Sequence, residues 1–244
     1  MLVERRVRDF TMVLDTDDCG MSQPLLRGAG WEGAGPDILE SILLLKPGMT
    51  VIDMGACIGF YSLLCATVSA HVYAVEADPD NCAIIRKAAE ANAFDNLLVY
   101  NLAIAGLDGT ARFQPSPGRS DRGRLSDKGP LEVETVTLDT FVEREGIGPV
   151  DVLRCDIEGA EVGMVAGGQK TLAVMREGSW IYVDLHPQKM NNPFDLMSTI
   201  ENIIEHGFIP ETLVGSKAGL NPSGFAESIC SKGGFPKVFF QKAT

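Results

Sequence analysis

The stretch VIDMGACIGFYS, Val51 to Ser62, constrains this chain more than any other. A short apolar run ends on Asp53, two glycines follow four residues apart at Gly55 and Gly59, and an apolar helical segment resumes at once. Strand, glycine turn and helix in that order is how a parallel sheet starts to wind. Glycines at 55 and 59 let the backbone approach a flat or extended ligand closely, and a helix from about Gly59 to Ser69 aims its amide dipoles at that ligand.

The alternation continues along the chain. HVYAVEAD reads as a second buried strand, and Asp78 followed by Pro79 starts the helix PDNCAIIRKAAEAN. LLVYNLAIA is a third strand, joined to TARF through a tight hairpin at Asp108 and Gly109. QPSPGRSDRGRLSDKGP reads as a long mobile loop of the kind that serves as a lid. Then come VETVTLDTF with period-two character, the strand VDVLRCD, a glycine-rich helical stretch over 160–175, and the strand WIYVDLH. Asn192 and Pro193 start a helix with Leu196, Ile200, Ile203 and Ile204 on one face and Gly207 at its end. GFIPETLV and KVFFQK are the last two strands. Upstream, a helix starting at Pro36 or Asp37 ends at KPG, and residues 1–36, with the strand-like DFTMVLD and the glycine-rich RGAGWEGAG, form a lead-in that covers the site. Residues 37–244 are then one domain.

Charge narrows the partners. With 21 basic and 33 acidic residues the formal charge is −12, which repels a polyphosphate backbone, and the basic cluster Arg119, Arg122, Arg124 and Lys128 sits in a solvated loop. Nucleic acid is therefore not an expected partner. No stretch reaches the ~20 apolar residues of a membrane helix and MLVERRVRDF lacks a signal-peptide core, so the expected compartment is the cytoplasm, with no membrane partner. The six cysteines have irregular spacing without a CxxC, which fits reduced core thiols and offers no zinc site.

Ligands of an open parallel sheet bind beyond the carboxyl ends of its strands, which singles out Asp53, Glu76, Asn101, Asp156 and Asp184 with His186. Helix capping explains each of these singly. Glu76 lies 21 residues beyond Gly55, where a carboxylate accepts hydrogen bonds from ribose hydroxyls. The dinucleotide fingerprint is broken at Cys57, and the P-loop lysine and hydroxyl are absent. That pairing suits a nicotinamide enzyme or a methyltransferase, with the missing glycine favouring the latter.

VIDMGACIGFYSLL, VYAVEADPDN, VYNLAIAGLDGTARF, VTLDTF, VDVLRCDIEGAE and IYVDLHP resemble, in this order and spacing, the successive motifs of the FkbM family of S-adenosylmethionine-dependent methyltransferases. The resemblance covers about residues 50 to 187. It implies an α/β class I methyltransferase fold, Rossmann-like, with a mostly parallel seven-stranded sheet, helices on both faces and an antiparallel C-terminal strand. It also implies S-adenosyl-L-methionine as cofactor and O-methylation of a hydroxyl on a small acceptor such as a sugar or polyketide. By matching position, Asp53, Gly55, Ala56 and Gly59 would line the methionine end of the cofactor and Glu76 would hold the ribose, followed by Ala77. Asn101 and Ala103 would sit near the adenine. Asp156 would face the sulfonium and the acceptor, with Glu158 beside it. The chain departs from the family wording at Cys57, Ala77 and Arg154, and Trp31 and Glu32 in the weakly matching lead-in are further candidate cofactor contacts.

The catalytic candidates are Asp156, Glu158 and His186. Methyl transfer gains from positioning and from a base that takes the hydroxyl proton. His186 follows a central strand, whereas His71 precedes one and His206 ends a helix; LHP reads equally as a structural turn. Asp156 and Glu158 could share base duty or bind a metal together, and Glu158 could cap the next helix. A metal would need a third oxygen ligand, for which Asp184 is conceivable, but nothing in the sequence requires one. Competing readings are an NAD(P)-dependent oxidoreductase and a non-catalytic cofactor-binding module. A homodimer is left open.

Overall fold

A computed structural model describes residues 1–31, 33–68, 70–189, 193–214, 225 and 236–243. The expected Asn192 cap, Glu32, Ser69, Cys230 and most of the segment between the last two strands lie outside them. The chain forms two compact units, Met1–Ala103 with Thr110–Glu134, and Ile104–Gly109 with Thr135–Thr244.

The first unit opens with an antiparallel hairpin of β1 (Leu2–Val7) and β2 (Phe10–Asp15), registered from Leu2 opposite Asp15 to Val7 opposite Phe10. Only β2 carries a readable signal, because it buries Phe10, Met12, Val13 and Leu14 while LVERRV is a largely exposed charged edge. Two helices follow, α1 (Ser22–Leu26) and α2 (Gly35–Leu44), the second with Pro36 in its first turn and Leu39, Ile42 and Leu43 buried. The winding then runs β3 (Thr50–Met54), α3 (Phe60–Thr67), β4 (His71–Glu76), α4 (Pro79–Ala91) and β5 (Leu97–Asn101). β3 and β5 flank β4, both parallel to it. Val51, Ile52 and Met54 are buried, and so is nearly every residue of α3, so this helix is apolar all round rather than striped.

LLVYNLAIA breaks after Asn101 into β5 and the short β6 (Ala103–Ile104). With β7 (Gly109–Gln114), β8 (Arg124–Leu125) and β9 (Leu131–Val136) it makes a small sheet ordered β6-β9-β7-β8. β9 therefore stands between β6 and β7, and the hairpin expected at Asp108 and Gly109 does not form. Asp108 instead accepts hydrogen bonds from Thr137 N–H at 2.6 Å and Thr140 Oγ1 at 2.8 Å. The expected loop between β7 and β9 holds a 3₁₀ turn at Ser120–Arg122 as well as β8.

In the second unit Thr137 accepts a hydrogen bond from Thr140 N–H and caps α5 (Leu138–Arg144), so VTLDTF changes from strand to helix at that residue. The unit continues with β10 (Val152–Cys155), α6 (Glu161–Ala166), α7 (Gln169–Val174), β11 (Trp180–Asp184), α8 (Pro193–Glu205), β12 (Phe208–Leu213) and β13 (Lys237–Lys242). The single helix expected over 160–175 is two, broken at Gly167 and Gly168. A Cβ at Gly167 would come within 2.9 Å of the Ala105 carbonyl and Thr137, and one at Gly168 within 2.9 Å of Leu138. β10 and β11 are parallel, and β13 runs antiparallel to both β11 and β12. The second unit carries the strand run β12-β13-β11-β10 and the first unit the run β3-β4-β5, seven strands of mixed direction in all. Among the described residues no helix is long and apolar enough to cross a membrane.

Candidate active site

In the first unit the glycine turn is clamped to the end of β4. Gly55, Cys57 and Gly59 all take left-handed backbone, with φ of +78°, +53° and +88°. The N–H groups of Gly55 and Ala56 both donate to the Val75 carbonyl, at 2.9 and 3.1 Å, and Cys57 N–H donates to Glu76 Oε2 at 2.8 Å. Gly59 is the N-cap of α3, and a Cβ there would lie 3.1 Å from Ile85. Its glycine is thus demanded by conformation and by α4 packing together. Asp53 is fully buried and accepts the Ser62 hydroxyl at 2.6 Å.

Glu76 is 7% exposed, and its other oxygen accepts Asp78 N–H at 2.7 Å. Burial pushes its carboxyl up to about 7, helped by the charges of Asp78 and Asp53 and opposed by the two backbone donors. Asn101 Nδ2 donates to the carbonyls of Glu76 at 3.0 Å and Ala77 at 2.9 Å, fixing the turn after β4. Ala77 packs against Ala103, Phe113 and Val133 with Leu125 and Leu131, an apolar cluster alongside that turn.

Two residues that the sequence reading passed over hold the lead-in in place. Asp18, 5% exposed, accepts Gly20 N–H and Ser120 N–H on one oxygen, at 2.9 and 3.0 Å, and Ser22 N–H and Ser120 Oγ on the other, at 2.9 and 2.7 Å. Burial works against its charge, yet the Ser120 and Ser22 donors hold its carboxyl below the usual range. The Ser120 carbonyl accepts the Cys57 thiol at 3.2 Å and Asn81 Nδ2 at 3.3 Å. The 115–130 segment, expected as a mobile lid, is therefore tied to both the lead-in and the glycine turn. Burial and the Glu76 charge push the Cys57 thiol well up, so Cys57 is a neutral donor. Trp31, named in the lead-in, has a buried indole N–H with no hydrogen-bond partner among the described residues.

The second unit collects the catalytic candidates after β10 and β11. His186, 4% exposed, has Nε2 at 3.6 Å from Asp156 Oδ1 and 3.7 Å from Glu158 Oε1, and Nδ1 at 2.8 Å from Glu161 Oε1. Glu161 is completely buried and also accepts Gly159 N–H at 3.2 Å. It was missed because a glutamate opening a helix reads as a favourable first-turn charge; its spacing within CDIEGAE was the available signal. Glu158 has φ of +56°, a left-handed conformation unusual for a side-chain-bearing residue, and ion-pairs with Lys189. Arg154 donates to Asp156 Oδ2 at 2.8 Å, and Lys237 pairs with Asp184 Oδ2. Burial would lower the His186 pKa, but the Glu161 hydrogen bond and the charges of Glu161, Asp156 and Asp184 outweigh it and raise the pKa. Burial and then Asp156 push Asp184 up to about 6 against the pull of Lys237. In a neutral His186 that donates Nδ1–H to Glu161, Nε2 is the acceptor nitrogen, and it lies beside the carboxylates of Asp156 and Glu158.

Comparison with known proteins places the chain among methyltransferases. The chain is 28% identical to the 2-O-methyltransferase NoeI of Sinorhizobium fredii over 61% of its own length and 68% of the relative. It is 24% identical to the hexuronic acid methyltransferase AglP of Haloferax volcanii over 55% of its own length, a match that spans about half of that relative, 54%. A Bacillus cereus O-methyltransferase solved in complex with SAH superposes with a TM-score of 0.51 at 14% identity, covering 95% of this chain and 84% of that one, which shows the class I methyltransferase fold. Residues 53–210 match the methyltransferase FkbM domain, running from the acid at the end of β3 into β12. The chain thus belongs to the FkbM family of S-adenosylmethionine-dependent methyltransferases.

Proposed function

We propose that this methyltransferase acts on a sugar hydroxyl, with glycans bearing a hexuronic acid as the acceptor class to try first. The observation that carries the reading is the buried imidazole of His186, oriented by Glu161 and set 3.6 and 3.7 Å from the carboxylates of Asp156 and Glu158. An alcohol must lose a proton as its oxygen gains a methyl group, so an acceptor of this kind needs such a group. A carboxylate acceptor has no proton to lose. The two similar proteins support the class, one named for 2-O-methylation and the other for a hexuronic acid.

The residues of the first unit fit the cofactor in kind. Each Glu76 oxygen accepts one backbone N–H, which leaves it a lone pair for a ribose hydroxyl. The apolar cluster of Ala77, Ala103, Phe113, Leu125, Leu131 and Val133 suits a flat adenine, with Asn101 bracing the same turn. Asp53, Gly55, Ala56 and Gly59 are assigned to the methionine portion. When bound, the cofactor supplies a methyl carbon made electrophilic by its sulfonium. Asp156, Glu158 and His186 are assigned to hold the acceptor hydroxyl and to take its proton as the O–C bond forms and the C–S bond breaks.

The test is transfer of labelled methyl from S-adenosylmethionine to a panel of neutral and uronic-acid glycosides, followed by mild alkali. The reading expects label in an alkali-stable methyl ether on a sugar, lowered roughly 100-fold by His186→Gln. Label released by alkali would mark a methyl ester and overturn the hydroxyl assignment. Label confined to non-sugar acceptors would overturn the sugar class.

A further inference from the structure

We propose that Asp156, Asp184 and His186 form a binding site for one divalent cation of the Mn²⁺ or Zn²⁺ type. An oxygen of each carboxylate and a ring nitrogen of the imidazole lie within 4.8 Å of one another, in the second unit. Ligands about 2.1 Å from a shared ion sit about 3.0–4.2 Å apart, and the 3.6 Å between Asp156 Oδ1 and His186 Nε2 already falls in that interval.

A second observation points the same way. Asp184 is 6% exposed, and its Oδ1 is buried without a hydrogen-bond partner among the described residues, although Oδ2 is paired with Lys237. A buried carboxylate oxygen left unsatisfied is costly, and native structures seldom keep one without an ion, a water or a function at hand. Each of the three candidate ligands is also held by an outer partner on its other atom. Arg154 takes Asp156 Oδ2, Lys237 takes Asp184 Oδ2, and Glu161 takes His186 Nδ1. Metal ligands are commonly oriented in this way, a carboxylate on the far nitrogen of the histidine included.

The charge count agrees. Asp156, Glu158, Glu161 and Asp184 bring four negative charges, against three positive charges on Arg154, Lys189 and Lys237, and the imidazole is neutral when it ligates. A cation bound by the neutral imidazole offsets the remaining charge, as a protonated His186 does when no cation is bound. Two oxygens and one imidazole nitrogen favour Mn²⁺ or Zn²⁺ over Ca²⁺, which prefers oxygen alone, and three protein ligands leave further positions for oxygens of water or acceptor. On the sugar-hydroxyl reading, which this part rests on, those positions take the acceptor oxygen and lower its pKa, His186 then serves as a ligand and not as the base, and Glu158, outside the ligand set, receives the proton.

The test uses the full chain stripped with EDTA and titrated separately with Mn²⁺ and Zn²⁺, without cofactor or acceptor. Calorimetry is expected to give one equivalent bound, weakened at least 10-fold by Asp184→Asn and unchanged by Asp78→Asn. Electron spin echo of the wild-type Mn²⁺ complex is expected to show ¹⁴N modulation from an imidazole, a readout that does not depend on a variant folding. Failure of both ions to bind, absence of the nitrogen signal, or equal affinity in a folded Asp184→Asn protein each overturns the proposal. Because binding is read without turnover, a protein that binds Mn²⁺ but methylates no sugar would overturn the acceptor reading alone.

Discussion

Burial in the fold raises the proton affinity of Glu76, and replacing it with Gln isolates that effect. Each tenfold change in proton affinity is worth about 1.4 kcal/mol. Raising the carboxyl from 4.5 to about 7 therefore makes the folded state pay about 3 kcal/mol to keep Glu76 ionised. The sign follows from proton counts. Between the unfolded and folded pKa values the native chain holds a proton that the unfolded chain has lost, so this contribution is intact below about 4.5 and fades as pH rises through about 7. Glu76→Gln cannot ionise. It also turns an NH₂ toward Cys57 or Asp78 N–H and loses one hydrogen bond, a constant offset of roughly 1–3 kcal/mol. The difference in unfolding free energy between wild type and variant should then move by about 3 kcal/mol in favour of the variant from pH 4.5 to pH 8. Urea denaturation across that range measures it. Parallel stability curves for the two proteins would refute the claim that burial raises the Glu76 carboxyl.

Other consequences are as direct. Asp18→Ala removes the four hydrogen bonds that join Ser120, Gly20 and Ser22, and should cost roughly 2–4 kcal/mol in urea denaturation; the same variant should expose 115–130 to limited proteolysis, and an unchanged cleavage pattern would remove Ser120 as the anchor. Cys57 should resist iodoacetamide in the folded protein while exposed Cys19 reacts, as read by mass spectrometry, because burial and Glu76 keep the Cys57 thiol protonated. Glu161→Gln should lower methyl turnover about 10–100-fold with little change in the KM for S-adenosylmethionine, since Glu161 acts through His186. A matching rise in that KM would contradict the assignment.

The strands that wind the sheet were legible because their apolar runs are short and bounded by Asp, Gly and Pro, as in TVIDM before Gly55 and WIYVD before His186. β1 was not, since an exposed edge strand has no buried face to leave in the sequence. The Asp108–Gly109 dipeptide has a hairpin's composition, but what Asp108 binds is the start of α5, and only tertiary structure decides between those uses. Among the candidate residues, Asp156 and His186 stand out by their places after strands and Glu158 by the family resemblance, and the structure brings the three together. Glu161, Asp18 and Ser120 were missed because their importance lies in contacts with residues as far as 102 positions away, which no local pattern records. Cys57, an oddity in the glycine turn, sits in left-handed backbone that disfavours a side chain, and what the structure gives it in return is a thiol donated to the Ser120 carbonyl.

In the proposed division of labour Glu76 holds the cofactor and the group around His186 handles the acceptor's proton. Single-turnover transfer of labelled methyl, measured over a range of S-adenosylmethionine concentrations in wild type, Glu76→Gln and Glu158→Gln, tests that division most directly. The prediction is that Glu76→Gln recovers the wild-type rate once cofactor saturates it, whereas Glu158→Gln saturates at wild-type cofactor concentrations and still transfers roughly 100-fold more slowly. A Glu158→Gln protein that transfers at the wild-type rate, or a Glu76→Gln protein that stays slow at saturating cofactor, would contradict it.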